Sequence, residues 1–406
     1  MANNYGGGSI EERNGRYRLV YRVNGRKITQ TLDEGTTKTE ARKKLRDLVG
    51  KADKGEFIEA SDMTVNQWLD RWAAIGYPGQ RKEPVSPRTA ERYAQLLAQH
   101  VRPHIGDRPI QKLAGVDDID RLWVTLKDKI SPYTGRPLSA TTQRHVSVVL
   151  GSALATAERA GIIIANPLKK AQTKPKKGEV DHGIALDEDD LAKLVTGFNG
   201  TRFFIIVALA ANTGMRRNEL LALRWSDIDF EKKTIRIERA LEVTKAGGIR
   251  FKVPKTERGR RNVDLNTGTI ELLLAERRKH QRLQAGIPDG ADVNLGLIKL
   301  PEGALVFPAD LGTANPTFTK TRIPRDTSKN FRRIARKLGF ARMRFHNLRH
   351  SHSTILLDAG VPLHRVAARI GDDPATLLRT YAMLTKKKHD GMTDAVNALG
   401  TKLFKT

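Results

Sequence analysis

Near the start of the chain, apolar and polar residues alternate with the period of a strand. Two turn signals, Asn14-Gly15 and Asn24-Gly25, divide this alternation into three antiparallel strands at about 9–13, 16–23 and 26–32. Two-residue turns fix the register, so the faces can be assigned. Tyr17, Leu19, Tyr21, Val23, Ile28 and Leu32 share one face with Ile10, whereas Arg16, Arg18, Arg22, Lys27, Thr29 and Thr31 share the other with Val20. A capping box of Thr37 and Glu40 then opens a helix, and its Ala41, Leu45, Leu48 and Val49 are spaced to cover the apolar face of the sheet. The basic face is left bare.

From about 63 to 167 the period lengthens to that of helices. Val65, Trp68, Leu69 and Trp72 mark one amphipathic stripe. Ser86-Pro87 opens a second helix with Tyr93, Leu96, Leu97 and Val101 on its buried side, and Ser139 caps a third that runs to about 159. A lysine-rich stretch at 169–177, interrupted by Pro175, reads as an exposed basic linker. Beyond it, helices are expected at 189–195, 202–212, 218–223, 270–281, 328–338, 348–359 and 363–370, with strands at 234–238, 249–253 and 261–265. Residues 283–326, rich in glycine and proline, show no usable period.

Charge changes the picture. Across 406 residues, 72 Lys and Arg face 45 Asp and Glu, a formal net charge of +27. A surplus of that size calls for a polyanionic partner, and lysine and arginine bind nucleic-acid backbones by displacing condensed counterions. A bare basic strand ribbon fits a major groove, which makes Arg16, Arg18, Arg22, Lys27 and Thr29 candidate DNA contacts, although a solvated outer face would carry the same residues. A membrane surface is the weaker alternative, because neither terminus shows a basic amphipathic helix with bulky apolar residues or a lipidation motif. No stretch approaches the ~20 apolar residues that cross a bilayer, and the polar, glycine-rich 1–8 has no apolar signal core. The absence of cysteine excludes disulfides, thiolate metal sites and a cysteine nucleophile. A cytoplasmic protein associated with the bacterial nucleoid is expected.

Four pieces of the last segment stand out: Thr213-Gly214-Met215-Arg216-Arg217-Asn218-Glu219, Pro254-Lys255-Thr256, His346-Asn347-Leu348-Arg349-His350, and Tyr381 in Leu378-Arg379-Thr380-Tyr381. In this order they resemble the tyrosine recombinase family, the integrases of phages and mobile elements. The stretch from Ala157-Glu158-Arg159 to Asn166-Pro167 is similar to the end of that family's core-binding domain, and the first segment is similar to its small arm-binding domain. The resemblance implies a multidomain, mainly α fold with small β-sheets. An arm-type DNA-binding domain of three strands and a helix would span 1–58, and a helical, SAM-like core-binding domain 62–170. A basic linker at 171–182, an α+β catalytic domain at 183–399 and a tail at 400–406 would complete the chain.

Cleaving a DNA phosphodiester builds negative charge on the nonbridging oxygens of a pentacoordinate phosphorus, and two guanidinium groups can hold those oxygens without losing their own charge. The resemblance assigns these roles to Arg216 and Arg349. It makes Lys255, between two strand-like stretches and so expected on a β-hairpin, the acid that protonates the departing 5′ oxygen, with Lys252 as its rival. His346 is the acid/base group, and Tyr381 is the nucleophile that forms a 3′-phosphotyrosine and frees a 5′ hydroxyl. The bond energy is retained, so no cofactor is implied, and the arginines leave no role for a metal. His346 and His350 have a chelating i, i+4 spacing, but no carboxylate completes a metalloprotease set. His350 and His352 read as structural, Arg217 as a surface or DNA-backbone contact, and Glu219 as a support for Arg216.

One position departs from the family pattern. Where the family has Gly followed by His or Trp, this chain has Gly371-Asp372-Asp373. An ionised aspartate only accepts hydrogen bonds. Asp372 is expected to turn away while Arg369 or Arg379 supplies the missing donor; a protonated Asp372 beside the phosphate, or one that holds an arginine, are the alternatives.

The implied function is site-specific recombination that integrates or excises a phage or mobile element. The implied partners are double-stranded DNA at core and arm sites, three further copies in a homotetramer, an accessory DNA-bending protein and an excision factor. Residues 386–406, with Met392, Val396 and Leu399 at helical spacing, are expected to pack on a neighbouring subunit. Two other readings share parts of this chemistry: a type IB topoisomerase-like enzyme, and a DNA-binding regulator with a decayed site.

Overall fold

Alternation at the N-terminus builds a sheet of four strands rather than three. The computed structural model describes all residues except 1–2, 6–7, 24–25, 54–59, 80–82, 133, 177–182, 255–256, 289–290 and 385–406, and the chain divides into two units, Met1–Glu179 and Val180–Thr406. In the first unit β1 (Asn3–Tyr5), β2 (Gly8–Arg13), β3 (Arg16–Val23) and β4 (Arg26–Thr31) pair antiparallel in chain order. The added strand, β1, has three residues, too few to show a period. Asn14 and Gly15 both have positive φ, 51° and 70°, as a type I′ hairpin requires. Ile10 lies opposite Leu19 and Tyr21 opposite Ile28, so the expected apolar face forms. Thr37 and Glu40 exchange the capping hydrogen bonds that start α1 (Lys38–Asp53), which packs Ala41 and Leu45 against Leu19, Tyr21 and Leu32.

A separate helical core follows, made by α2 (Val65–Ala74), α3 (Pro87–His100), α4 (Arg102–Ile105), α5 (Arg121–Asp128) and α6 (Ala140–Arg159). Trp72 is fully buried, edge-on to Tyr77 at 5.1 Å and stacked on Tyr93 at 6.0 Å. The indole of Trp68 donates to the Ala153 carbonyl at 3.0 Å and ties α2 to α6. The first residues of the expected linker are not free: Asp120 accepts from Thr173 Oγ1 at 2.6 Å and from the amides of Thr173 and Gln172. A buried carboxylate with three donors pins this stretch to the helical core.

The second unit contains α7 (Glu188–Thr196), α8 (Phe204–Thr213), α9 (Arg217–Leu220), β5 (Ile228–Asp229), β6 (Thr234–Ile237), β7 (Ala240–Thr244), β8 (Gly248–Lys252) and β9 (Arg261–Asp264). It continues with α10 (Thr267–Ala285), α11 (Pro324–Lys337), α12 (Asn347–Asp358), α13 (Leu363–Ile370) and α14 (Pro374–Leu384). Helix α8 is apolar on nearly every side and runs through the core, as such a helix must. The unpatterned 283–326 contributes Ala304, Val306, Phe307 and Phe318 to that core without forming a long element. Strands β5, β6 and β9 form one sheet, and β7 and β8 form another. Strand β8 pairs with β7 and β9 with β6, so these two consecutive strands belong to different sheets and do not pair with each other. Lys255 and Thr256 themselves lie outside the described residues, as does 386–406. No described helix is long and apolar enough to cross a membrane.

Candidate active site

The site is built on two left-handed helix ends. Helix α8 stops at Gly214, φ 63°, where a Cβ would stand 2.7 Å from the His352 ring, and α13 stops at Gly371, φ 68°, where a Cβ would stand 2.7 Å from the Arg258 carbonyl. Each turn aims a carbonyl at a guanidinium. Gly214 O accepts from Arg349 Nη1 at 3.0 Å, and Gly371 O accepts from Arg216 Nη2 at 2.8 Å. Arg216 caps α9, a single turn whose dipole adds little, so the anion-binding power of this corner resides in the side chains.

Glu219 locks Arg216 in place. It accepts from the Arg216 amide at 3.0 Å and from Arg216 Nη1 at 2.9 Å, and it also accepts from Arg261 Nη2 at 2.9 Å. Burial alone would push its carboxyl up, but Arg261, by charge and hydrogen bond, and then Arg216 bring it below the usual carboxylate range. Arg261 is buried as deeply, and its Nε donates to the Arg369 carbonyl. It was not singled out in the sequence.

Arg349 is 3% exposed, in the first turn of α12, and its Nη1 also donates to the Ile370 carbonyl at 2.6 Å. Burial, then the nearby Arg216, lower its pKa to about 10, with Asp372 opposing, so it stays charged at neutral pH. The expectation that Asp372 turns away fails. Asp372 Oδ1 accepts from Arg216 Nη2 at 3.0 Å and Oδ2 accepts from Arg349 Nη2 at 2.8 Å. Two positive groups meeting across one position draw in the nearest carboxylate. Arg369 and Arg379 do not replace a donor here: Arg369 donates to His352 and to the Asn212 and Asp264 carbonyls, and Arg379 to the Ala375 carbonyl.

His346 precedes α12 and packs edge-on to His350, with ring centroids 4.7 Å apart. Partial withdrawal from water, then His350, Arg349 and Arg216, hold its pKa down to about 4, with Asp372 opposing, although part of the residue remains exposed. It is neutral at pH 7, a proton acceptor. His352 is structural, with Nδ1 on the Ala211 carbonyl at 2.9 Å and Nε2 accepting from Arg369. Tyr381 lies three residues before Leu384, the last residue of α14, and its phenol donates to Asp358 Oδ1 at 2.9 Å. Desolvation and that carboxylate raise its pKa.

Residues 185–388 match the phage integrase family. The chain belongs to the phage integrase family of tyrosine recombinases. It is 25% identical over 381 residues to the tyrosine recombinase XerC-like protein of Caldanaerobacter subterraneus subsp. tengcongensis, covering 90% of each chain. Its fold matches the Tn1549 transposon integrase in complex with transposon right end DNA, with a TM-score of 0.64, 19% identity, and 83% of this chain aligned to all of that one. It also matches a lambda integrase tetramer bound to a Holliday junction, with a TM-score of 0.52, 16% identity, and 91% and 94% of the two chains covered.

Elsewhere in the recombinase, Lys252, the rival to Lys255, is engaged: its Nζ donates to Glu242 at 2.7 Å beside Arg250. Arg217 is not a surface contact. Its Nη1 donates to Ser328 at 2.6 Å, which ties α9 to α11. On the open face of the first sheet Arg22, Lys27 and Thr29 are exposed and Arg18 is half-buried, whereas Arg16 pairs with Glu34 at 2.8 Å. Among the described residues no group of three or more His, Asp or Glu side chains is placed to hold a metal ion.

Proposed function

We propose that this recombinase integrates or excises a phage or mobile element by cutting DNA at core sites through Tyr381, with Arg216 and Arg349 holding the scissile phosphate. The convergence of two guanidiniums on one carboxylate carries this reading, because a position that gathers one anion between two fixed arginines suits a phosphodiester. In the reaction the Tyr381 oxygen bonds to phosphorus, the bond from phosphorus to the 5′ oxygen breaks, the phenolic proton passes to neutral His346, and Lys255 protonates the 5′ oxygen. Glu219 positions Arg216 and does no chemistry. The exposed arginines of the first sheet read arm sites, and four copies act together on two duplexes with an accessory bending protein and an excision factor, in association with the nucleoid. A nicked suicide duplex tests the reading: a covalent complex should form and should vanish in Tyr381→Phe. Arg349→Ala should lose cleavage by at least ~10²–10³ while DNA stays bound. A covalent complex that survives Tyr381→Phe would sink the proposal.

A further inference from the structure

Asp372 stands in the place where an anion would be held. Its two oxygens are divided between the two guanidiniums, at 3.0 Å from Arg216 Nη2 and 2.8 Å from Arg349 Nη2. Carboxylate and phosphate present their oxygens to guanidinium in the same forked way. The neighbouring donors are already committed: Arg349 Nη1 to the Gly214 and Ile370 carbonyls, Arg216 Nη1 to Glu219, and Arg216 Nη2 also to the Gly371 carbonyl. A phosphate entering between the guanidiniums therefore competes with Asp372 for the same N–H groups.

We infer that Asp372 is a resident stand-in for the scissile phosphate, a positioning residue that keeps Arg216 and Arg349 at phosphate spacing and is displaced when DNA enters. The inference rests on reading those arginines as the phosphate clamp. Asp372 is able to leave. Its side chain is about one third exposed (32%), so solvent already reaches it beside the arginine pair. The next residue stays behind: Asp373 accepts from the Ala375 amide at 2.9 Å to cap α14 and pairs with Arg258 at 2.8 Å, so the helix that carries Tyr381 keeps its start when Asp372 swings out.

The test uses inorganic phosphate as the probe, titrated into the full chain at constant ionic strength, with affinity read from the rise in melting temperature. Asp372→Asn and Asp372→Ala should each bind phosphate at least about tenfold more tightly than the parent chain, because no carboxylate then closes the position. Asp373→Asn removes the same charge one residue away, outside the arginine pair, and should change phosphate affinity less than about twofold. In the double variant Arg349→Ala with Asp372→Asn the gain should disappear. Circular dichroism checks folding, and the two Asp372 variants cover each other. Equal gains from Asp373→Asn and Asp372→Asn would reduce the effect to general charge and overturn the inference. No gain at Asp372, with phosphate binding still lost in Arg349→Ala, would overturn it while leaving the clamp intact. Phosphate binding indifferent to both arginines would instead overturn the clamp.

Discussion

Glu219→Gln should damage stability and chemistry together. The substitution keeps the shape of the side chain but removes its charge and turns one acceptor into a donor. In the parent chain the carboxylate is 5% exposed and serves the Arg216 amide, Arg216 Nη1 and Arg261 Nη2, all between 2.9 and 3.0 Å. Arg261, with a side chain only 6% exposed, would be left as a buried cation without its counter-charge. Breaking a buried pair from one side costs about 3–5 kcal/mol. The lower end applies here, since Arg261 keeps its bond to the Arg369 carbonyl at 2.7 Å and Gln keeps one acceptor. Urea denaturation should therefore show a loss of about 3 kcal/mol. Arg216 would lose the contacts that set its rotamer, and misplacing one transition-state donor lowers cleavage by ~10²-fold or more at temperatures where the variant remains folded. DNA affinity should change far less, because binding is spread over many phosphate contacts. A variant within about 1 kcal/mol of the parent, cleaving a suicide duplex at the parental rate, would refute the reasoning, since Glu219 would then neither balance Arg261 nor hold Arg216.

Asp358→Asn should let the Tyr381 pKa fall toward the ordinary phenol value and speed formation of the covalent complex by about 3- to 10-fold, the difference between a charged hydrogen bond and the neutral one that Asn retains, about 1 kcal/mol; a rate that drops more than tenfold would make Asp358 the proton acceptor instead. Replacing Arg16, Arg18 and Arg22 with Ala should weaken arm-site binding by about 1–3 kcal/mol for each arginine that reads a base, less for Arg16 because of its pair with Glu34, and leave core-site cleavage in place; arm-site affinity unchanged across a salt titration would remove this face from recognition. Stability should fall in acid. Burial above all holds the pKa of His100 and of His352 down to about 4, while the unfolded chain titrates near 6.5, so between those values the unfolded state binds more protons. Stability then declines as pH drops through that window, by up to about 2 kcal/mol per histidine at pH 5, and a urea midpoint that stays level from pH 7.5 to 5 would contradict it.

What was legible in the sequence was local or strongly typed. The faces of the first sheet follow from two-residue turns, and the start of α1 from residues three apart, so both could be derived without tertiary knowledge. The motif around Arg216, and that around His346 and Arg349, fall on the two helix starts expected for them. The failures are long-range. Asp372 meets partners 156 and 23 residues away, and nothing in its own neighbourhood announces that it bridges them. Arg261 is one of four basic residues in 255–261, and only the fold decides that this one is buried against Glu219. Asp358, the last residue of α12, reads as an ordinary surface carboxylate until α14 brings Tyr381 to it. Strand-like stretches on both sides of Lys255 suggest a hairpin, but local sequence does not say which strands meet: β8 pairs with β7 and β9 with β6, a choice made by tertiary packing.

The charge of the site links the carboxylates to the chemistry. Arg216, Arg261 and Arg349 face Glu219 and Asp372, with His346 neutral at pH 7, so among the described residues the surplus is one positive charge. A phosphodiester carries one negative charge, so once it displaces Asp372 the surplus of two exceeds the charge it brings. The pentacoordinate transition state carries about two, and only interactions that strengthen as that second charge develops accelerate the step. Glu219 cannot change the balance, because it is buried and shared between two arginines. Asp372 can: swinging into solvent raises the surplus from one to two and frees one N–H on each guanidinium for the oxygens that gain charge. A histidine or tryptophan at this position would add a donor to the phosphate without altering the charge between the arginines. An aspartate reaches transition-state complementarity by withdrawing, and its cost is that weakly placed DNA must compete with an anion the protein already holds.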